Sequence, residues 1–245
     1  MRKLFFILCI ITASLLLYRY ISDQKYISIG HIKIKRTEFL TASTERKADV
    51  LCADCHGKDG SGDRFFGKDT NRGIPMINNL TARYLEEQLT DYRTGKRIHI
   101  NSKLDDDDDA DEMNHLMKDK DMNDLIIAEL ALYYSNLHGL PIQNNVESQL
   151  KDTNKQKFID GKHLYQKKCA SCHGAQGIPS NNSKAPRLAG QNGLYQAHIL
   201  MTWMDKIKKN KPIHNPMVQY LKENPLDHVD IVELSFYLEN IVGIR

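Results

Sequence analysis

Cysteine and proline are scarce in this chain, with five and seven among 245 residues. So few cysteines cannot staple a disulfide scaffold of this length. With little proline and 8% aromatic residues, the chain is neither collagenous nor disordered. It also lacks a strong charge of either sign: a formal net charge of +3 is too small for a nucleic-acid-binding surface. A mean hydropathy of −0.51 excludes a polytopic membrane protein. What is present, 41% hydrophobic and 27% charged residues, fits a soluble globular class. The length allows one large domain or two small ones.

One apolar run stands apart. Residues 1–21 read MRKLFFILCIITASLLLYRYI, with Arg2 and Lys3 ahead of an uncharged stretch from Leu4 to Leu17. That stretch suits a signal h-region and is short for a span of about 20 residues. No small-x-small cleavage site follows it, because Tyr18-Arg19-Tyr20 is bulky and cationic. The expectation is an uncleaved signal anchor extended to Ile21, with Arg19 reaching the interface; a cleaved signal peptide is the alternative. Cys9 is read as an apolar residue of the span. In both cases the rest of the chain is exported. Residues 22–44 form a stalk, in which Ile27, Ile29, Ile32 and Ile34 suit a short strand.

Beyond the stalk the sequence repeats itself. Cys52-Ala-Asp-Cys55-His56-Gly57 recurs as Cys169-Ala-Ser-Cys172-His173-Gly174, 117 positions later. Pro75, Tyr84 and Leu89 recur as Pro186, Tyr195 and Leu200 at an offset of 111, with the aromatic Tyr92 answering Trp203. Met113 recurs as Met217 at 104. The same offset relates Ile127, Leu130, Tyr134 and Leu137 to Ile231, Leu234, Leu238 and Ile241, and this spacing puts each set on one helical face. The first copy is therefore six residues longer before its proline and seven longer before its methionine. The second excess coincides with the acidic run Asp105 to Asp109, read as a solvated loop insertion. The domains are placed at 45–138 and 155–245, joined by a polar linker at 139–154.

A C-x-x-C-H sequence in an exported protein is the pattern of covalent haem c attachment. Cysteines at i and i+3 of a helical turn share one side and can form thioethers to two haem vinyl groups. A histidine at i+4 lies on the same face and can ligate the iron. A redox dithiol would need a βαβ setting, which the sequence does not show, and a shared zinc site would leave both histidines unexplained. The expectation is two haem c groups, held by Cys52 and Cys55 and by Cys169 and Cys172, with His56 and His173 as proximal iron ligands. At about 90 residues each, the domains are short for a purely apolar core, and a buried cofactor would complete them.

For the distal position, Met113 and Met217 stand out, each nine residues before the matching start of the closing helix. Both are expected in loops. Met117 and Met122 align with Leu221 and Leu226 and read as core, and Met201 and Met204 as packing residues of a helix from Tyr195 to Lys206. Bis-histidine ligation through His115 or His214 is the rival; these two occupy unmatched repeat positions.

These pieces, with Pro186-Arg-Leu-Ala-Gly-Gln191 and Leu130-Ala-Leu-Tyr-Tyr134, resemble class I cytochromes c, and specifically the two-haem cytochrome c4 family, over residues 45–245. The chain departs from that pattern at Pro75-Met-Ile-Asn-Asn79, where the second copy is closer to it. The resemblance implies an all-α pair of tandem cytochrome c domains with the haems close together. It also implies a periplasmic electron carrier between a respiratory donor and a terminal oxidase; the expected inner-membrane anchor at residues 1–21 and the Asp105–Asp109 insertion are further departures from the family pattern. A cytochrome subunit of a larger dehydrogenase or oxidase is the alternative. A dihaem peroxidase would need one iron with an open site, which paired methionines argue against.

Charge divides unevenly between the copies. Residues 45–138 carry 13 Lys and Arg against 20 Asp and Glu, and residues 155–245 carry 13 against 7. Lys206, Lys208, Lys209 and Lys211 form a basic segment in the second copy, a candidate docking surface for an acidic partner.

Overall fold

The computed structural model describes residues 26–29, 32–35, 42–62, 73–97, 112–118, 122–180, 184–210 and 215–242. The expected anchor at 1–21 and the Asp105–Asp109 run lie outside them. No helix among the described residues is long and apolar enough to cross a membrane.

Strand β1 (Tyr26–Ile29) pairs antiparallel with β2 (Ile32–Lys35), Ile27 opposite Ile34 and Ile29 opposite Ile32. The single strand expected in the stalk is thus a hairpin, and the all-α expectation holds for the two domains rather than for the whole described chain. The isoleucines alternate with polar residues at a period of two, which suits a pleated pair and not a helix.

The first domain comprises α1 (Thr44–Leu51), α2 (Ala53–His56), α3 (Ala82–Arg93), α4 (Glu112–Lys118) and α5 (Asp124–Ser135). Ser43, Thr81 and Asn123 cap α1, α3 and α5, each side chain accepting a backbone N–H of the first turn. The core gathers Ala48, Leu51, Leu85, Met117, Met122, Ile126, Ile127, Leu130 and Tyr134. Met117 and Met122 are buried, as their alignment with leucines implied. The nearly buried Lys47 ammonium meets Glu129 at 2.7 Å and ties α1 to α5. Removing one partner of such a pair would strand a charge in the core.

The second domain repeats the plan with α7 (Asp152–Lys168), α8 (Ala170–His173), α9 (Gly193–Lys208), α10 (Pro216–Glu223) and α11 (His228–Asn240). A capping box at Asp227 and Asp230 starts α11. Helix α7 is twice the length of α1 and crosses α11 closely. A β-carbon at Gly161 would overlap the Glu233 carbonyl oxygen, so only glycine lets the two backbones approach here. Phe158 and Tyr165 then pack on Tyr237, with ring centroids 5.1 and 5.6 Å apart.

The stretch between the domains is more structured than its polar composition suggests. It carries α6 (Val146–Gln149), and Val146 is 1% exposed within the second core. Gln143 N–H donates to Ile241 O, and Arg187 donates to Leu140 O. The domains also touch directly. Arg97 of the first donates to the Tyr195 hydroxyl of the second at 2.6 Å and lies over the Tyr92 ring. Burial raises the nearby Tyr84 phenol to about 12, although Arg97 opposes the shift. Tyr84 and Tyr195, equivalent in the repeat, therefore meet at one arginine.

Candidate haem sites

Each C-x-x-C-H segment forms one helical turn, α2 or α8, set off from the preceding helix by a kink at its first cysteine. Cys52 has φ −124° and ψ −31°, and Cys169 has φ −120° and ψ −32°. His56 N–H donates to Cys52 O at 2.8 Å, and His173 N–H to Cys169 O at 3.0 Å. Gly57 and Gly174 end the turns at φ 76° and 81°, in the left-handed region that glycine enters freely. The sequence expectation that both cysteines and the histidine share one turn is met in both copies.

The histidine rings are oriented by a proline carbonyl. His56 Nδ1 lies 2.8 Å from Pro75 O, and His173 Nδ1 lies 2.9 Å from Pro186 O. A carbonyl only accepts, so Nδ1 carries the proton and Nε2 keeps its lone pair. Burial lowers the His173 pKa, only partly offset by the Pro186 carbonyl, and so favours the neutral imidazole that a metal requires. The repeat had exposed Pro75 and Pro186 through their common offset, but their role as acceptors was not foreseen.

Further bonds recur between the copies. Gly60 O accepts from Ile77 and Asn78 as Gly177 O accepts from Leu188 and Ala189. Asn79 N–H reaches Tyr134 O as Gly190 N–H reaches Leu238 O. The insertions deduced from the repeat fall between these fixed points.

The first cysteine of each turn does not have the lowered pKa of a reactive redox thiol. Burial pushes Cys52 up to about 12 and Cys169 up to about 11, whereas redox and zinc thiols are lowered. Among the described residues, no three His, Cys, Asp or Glu side chains are grouped as a metal site would need. A cysteine pair on one turn, a histidine oriented through Nδ1 and a flanking apolar core suit haem c.

Met113 and Met217 occupy matching places, each the second residue of its helix, α4 or α10. They are not in loops as expected. For Met217 the reason is local: Asn215 caps α10 by accepting the Met217 N–H at 2.8 Å, and Pro216 fits the first helical position. Met113 packs on the core that includes Cys52's neighbours, and Met217 on the core containing Cys169. Tyr220, one turn beyond Met217, has a pKa raised by burial and then by Cys169 and Cys172, which places α10 beside that cysteine pair. Met204 is buried and Met201 packs on the same core. His115 is exposed on α4, and His214 lies outside the described residues.

The sequence model of the Cytochrome c family matches residues 47–133 and again 158–241. Cytochrome c4 of Pseudomonas aeruginosa is 24% identical over 203 residues, covering 82% of this chain and 88% of its own. Reduced cytochrome c4 from Pseudomonas stutzeri superposes with a TM-score of 0.58 at 20% identity, over 81% of this chain and 96% of that one. Cytochrome c4 from Acidithiobacillus ferrooxidans gives 0.55 at 21% identity, over 78% and 98%. Thiosulfate dehydrogenase from Marichromatium purpuratum gives 0.52 at 21% identity, over 77% of this chain but 36% of that one. With two matched domains and two attachment turns, the chain belongs to the cytochrome c family, as a two-haem, cytochrome c4-like electron-transfer protein carrying two haem c groups.

Proposed function

We propose that this chain is a respiratory electron carrier on the periplasmic side of a bacterial inner membrane, passing electrons toward a terminal oxidase. The observation that carries the reading is the paired His–proline carbonyl arrangement, which holds two imidazoles in one tautomer in two equivalent domains. Cys52, Cys55, Cys169 and Cys172 are the thioether positions. His56 and His173 are the proximal ligands, and Met113 and Met217 the distal ones. Bound haem c supplies a one-electron iron couple in each domain. The chain's own part would be to supply a histidine and a methionine to each iron, exclude water and keep those side chains fixed while charge changes. Methionine, softer than a second histidine, favours a high potential. Residues 1–21 act as the anchor that keeps the carrier near membrane partners.

A second reading, as the cytochrome part of a larger oxidoreductase, draws support from the thiosulfate dehydrogenase similarity, where the matching region is 36% of a longer chain. A redox titration followed by absorbance tests the main reading. Two one-electron steps with His/Met spectra support it, and a high-spin iron in the resting protein would contradict it. Co-purification of a stoichiometric partner from detergent extract would favour the second reading.

A further inference from the structure

A single peptide group links the second domain to the histidine of the first. The Pro75 carbonyl accepts from His56 Nδ1 at 2.8 Å. The N–H of that same peptide unit, on Met76, donates to Gln191 Oε1 at 2.7 Å. Gln191 Nε2 in turn donates to Met76 O at 2.9 Å. Gln191 belongs to the second domain, in the turn before α9, and is 5% exposed. Its Oε1 also accepts from Asn192 N–H, and its backbone carbonyl from Gln196 Nε2, so the side chain is fixed from its own side.

The peptide C–N bond has partial double-bond character. A hydrogen bond to its N–H therefore moves electron density onto its carbonyl oxygen. Chained hydrogen bonds in a low-dielectric interior strengthen one another by about 10–30% per bond. Gln191, the Pro75–Met76 peptide and His56 Nδ1–H form such a chain across the interface.

Among the described residues, the second domain shows no such counterpart. Pro186 O accepts from His173 Nδ1 at 2.9 Å, but the first-domain residue at Gln191's repeat position is Leu80, buried in the first core. An aliphatic side chain has no atom to accept from the Arg187 N–H. Among the described residues, the link runs one way.

We infer that Gln191 is a positioning residue for the first haem site, through which the second domain sets the donor strength of His56. A better acceptor at Nδ1 gives the ring more imidazolate character and makes Nε2 a stronger donor. That favours the oxidised state, so Gln191 holds the first potential down. This inference rests on the assignment of His56 as proximal ligand.

The test uses the full two-haem protein, with each potential assigned to its haem by NMR. Gln191→Leu is expected to raise the first potential and leave the second unchanged. Gln191→Glu, which when protonated offers the same donor and acceptor pair, restores the parent value. Tyr195→Phe cuts the Arg97 contact without touching the peptide and leaves the first potential in place. In the parent, the Nδ1 proton of His56 resonates further downfield than that of His173. A Gln191→Leu protein with both haems attached and an unmoved first potential overturns the inference. So does an equal shift in both haems, an equal effect of Tyr195→Phe, or, where Gln191→Leu fails to fold, a His56 proton no further downfield than that of His173. Absence of haem from Cys52 and Cys55 in the parent would instead remove the ligand assignment itself.

Discussion

Gly161 on α7 lies against the carbonyl oxygen of Glu233 on α11 with no room for a β-carbon between them. The obstacle is backbone, which cannot swing aside as a side chain could. Gly161→Ala should therefore separate the helices and loosen the Phe158–Tyr237 contact, despite the roughly 1 kcal/mol that alanine gains in a helix. Overpacking of this kind costs about 1–3 kcal/mol. Thermal denaturation should show a lowered midpoint; an unchanged or raised midpoint would mean that α7 and α11 are not in this contact in solution.

Covalent attachment is checked by the mass of the denatured protein after maturation in a periplasm. Two haem additions are expected, and one after Cys55→Ala combined with Cys52→Ala. A single addition in the parent would end the assignment of one of the two turns.

The distal ligands have a spectroscopic signature. The oxidised parent should show the weak near-infrared sulfur-to-iron band. Met217→His should keep six-coordination and lower one potential, while Met217→Ala should open a site to added ligands, and the same holds for Met113. Absence of the band, with no response to either alanine variant, would refute both methionines.

How much of this was legible in sequence depended on the range of the interaction. The attachment turns were, because i, i+3 and i+4 is a local spacing. The burial of Met117 and Met122 was, because Leu221 and Leu226 stand at their repeat positions. Three features were not. Gln191 reaches the Met76 backbone, and Arg97 reaches Tyr195, across the domain boundary, and such contacts leave no period in the chain. The helical setting of Met217 was signalled by Asn215-Pro216, a cap followed by a first-turn proline, but the repeat alone did not weigh it.

Electrostatic docking is tested on the basic segment. Lys208 is exposed, and Lys209 is exposed but pairs with Asp205 at 2.7 Å. Reversing Lys208 and Lys209 to Glu should slow electron exchange with an acidic partner at low salt and leave both potentials nearly unchanged. With a screening length of about 8 Å at physiological ionic strength, the difference should shrink as salt rises. Equal rates for variant and parent at every salt concentration would remove this surface from consideration.

The state of the N-terminus is open to direct chemistry. If residues 1–21 stay attached as proposed, Edman sequencing of the mature protein should begin at Met1 or Arg2. A start near residue 22 would show that the leader is cleaved.

The segment that joins the domains has a practical meaning for dissecting the molecule. Val146 lies inside the second core, and burying a valine contributes about 1.5–3 kcal/mol. Gln143 and Leu140 are hydrogen-bonded to Ile241 and Arg187 of the same domain. A severed chain keeps these contacts only if the cut falls ahead of Leu140, next to the end of α5. Expressing the C-terminal half from residue 152, where α7 begins, would discard a piece of its own interior along with the tether.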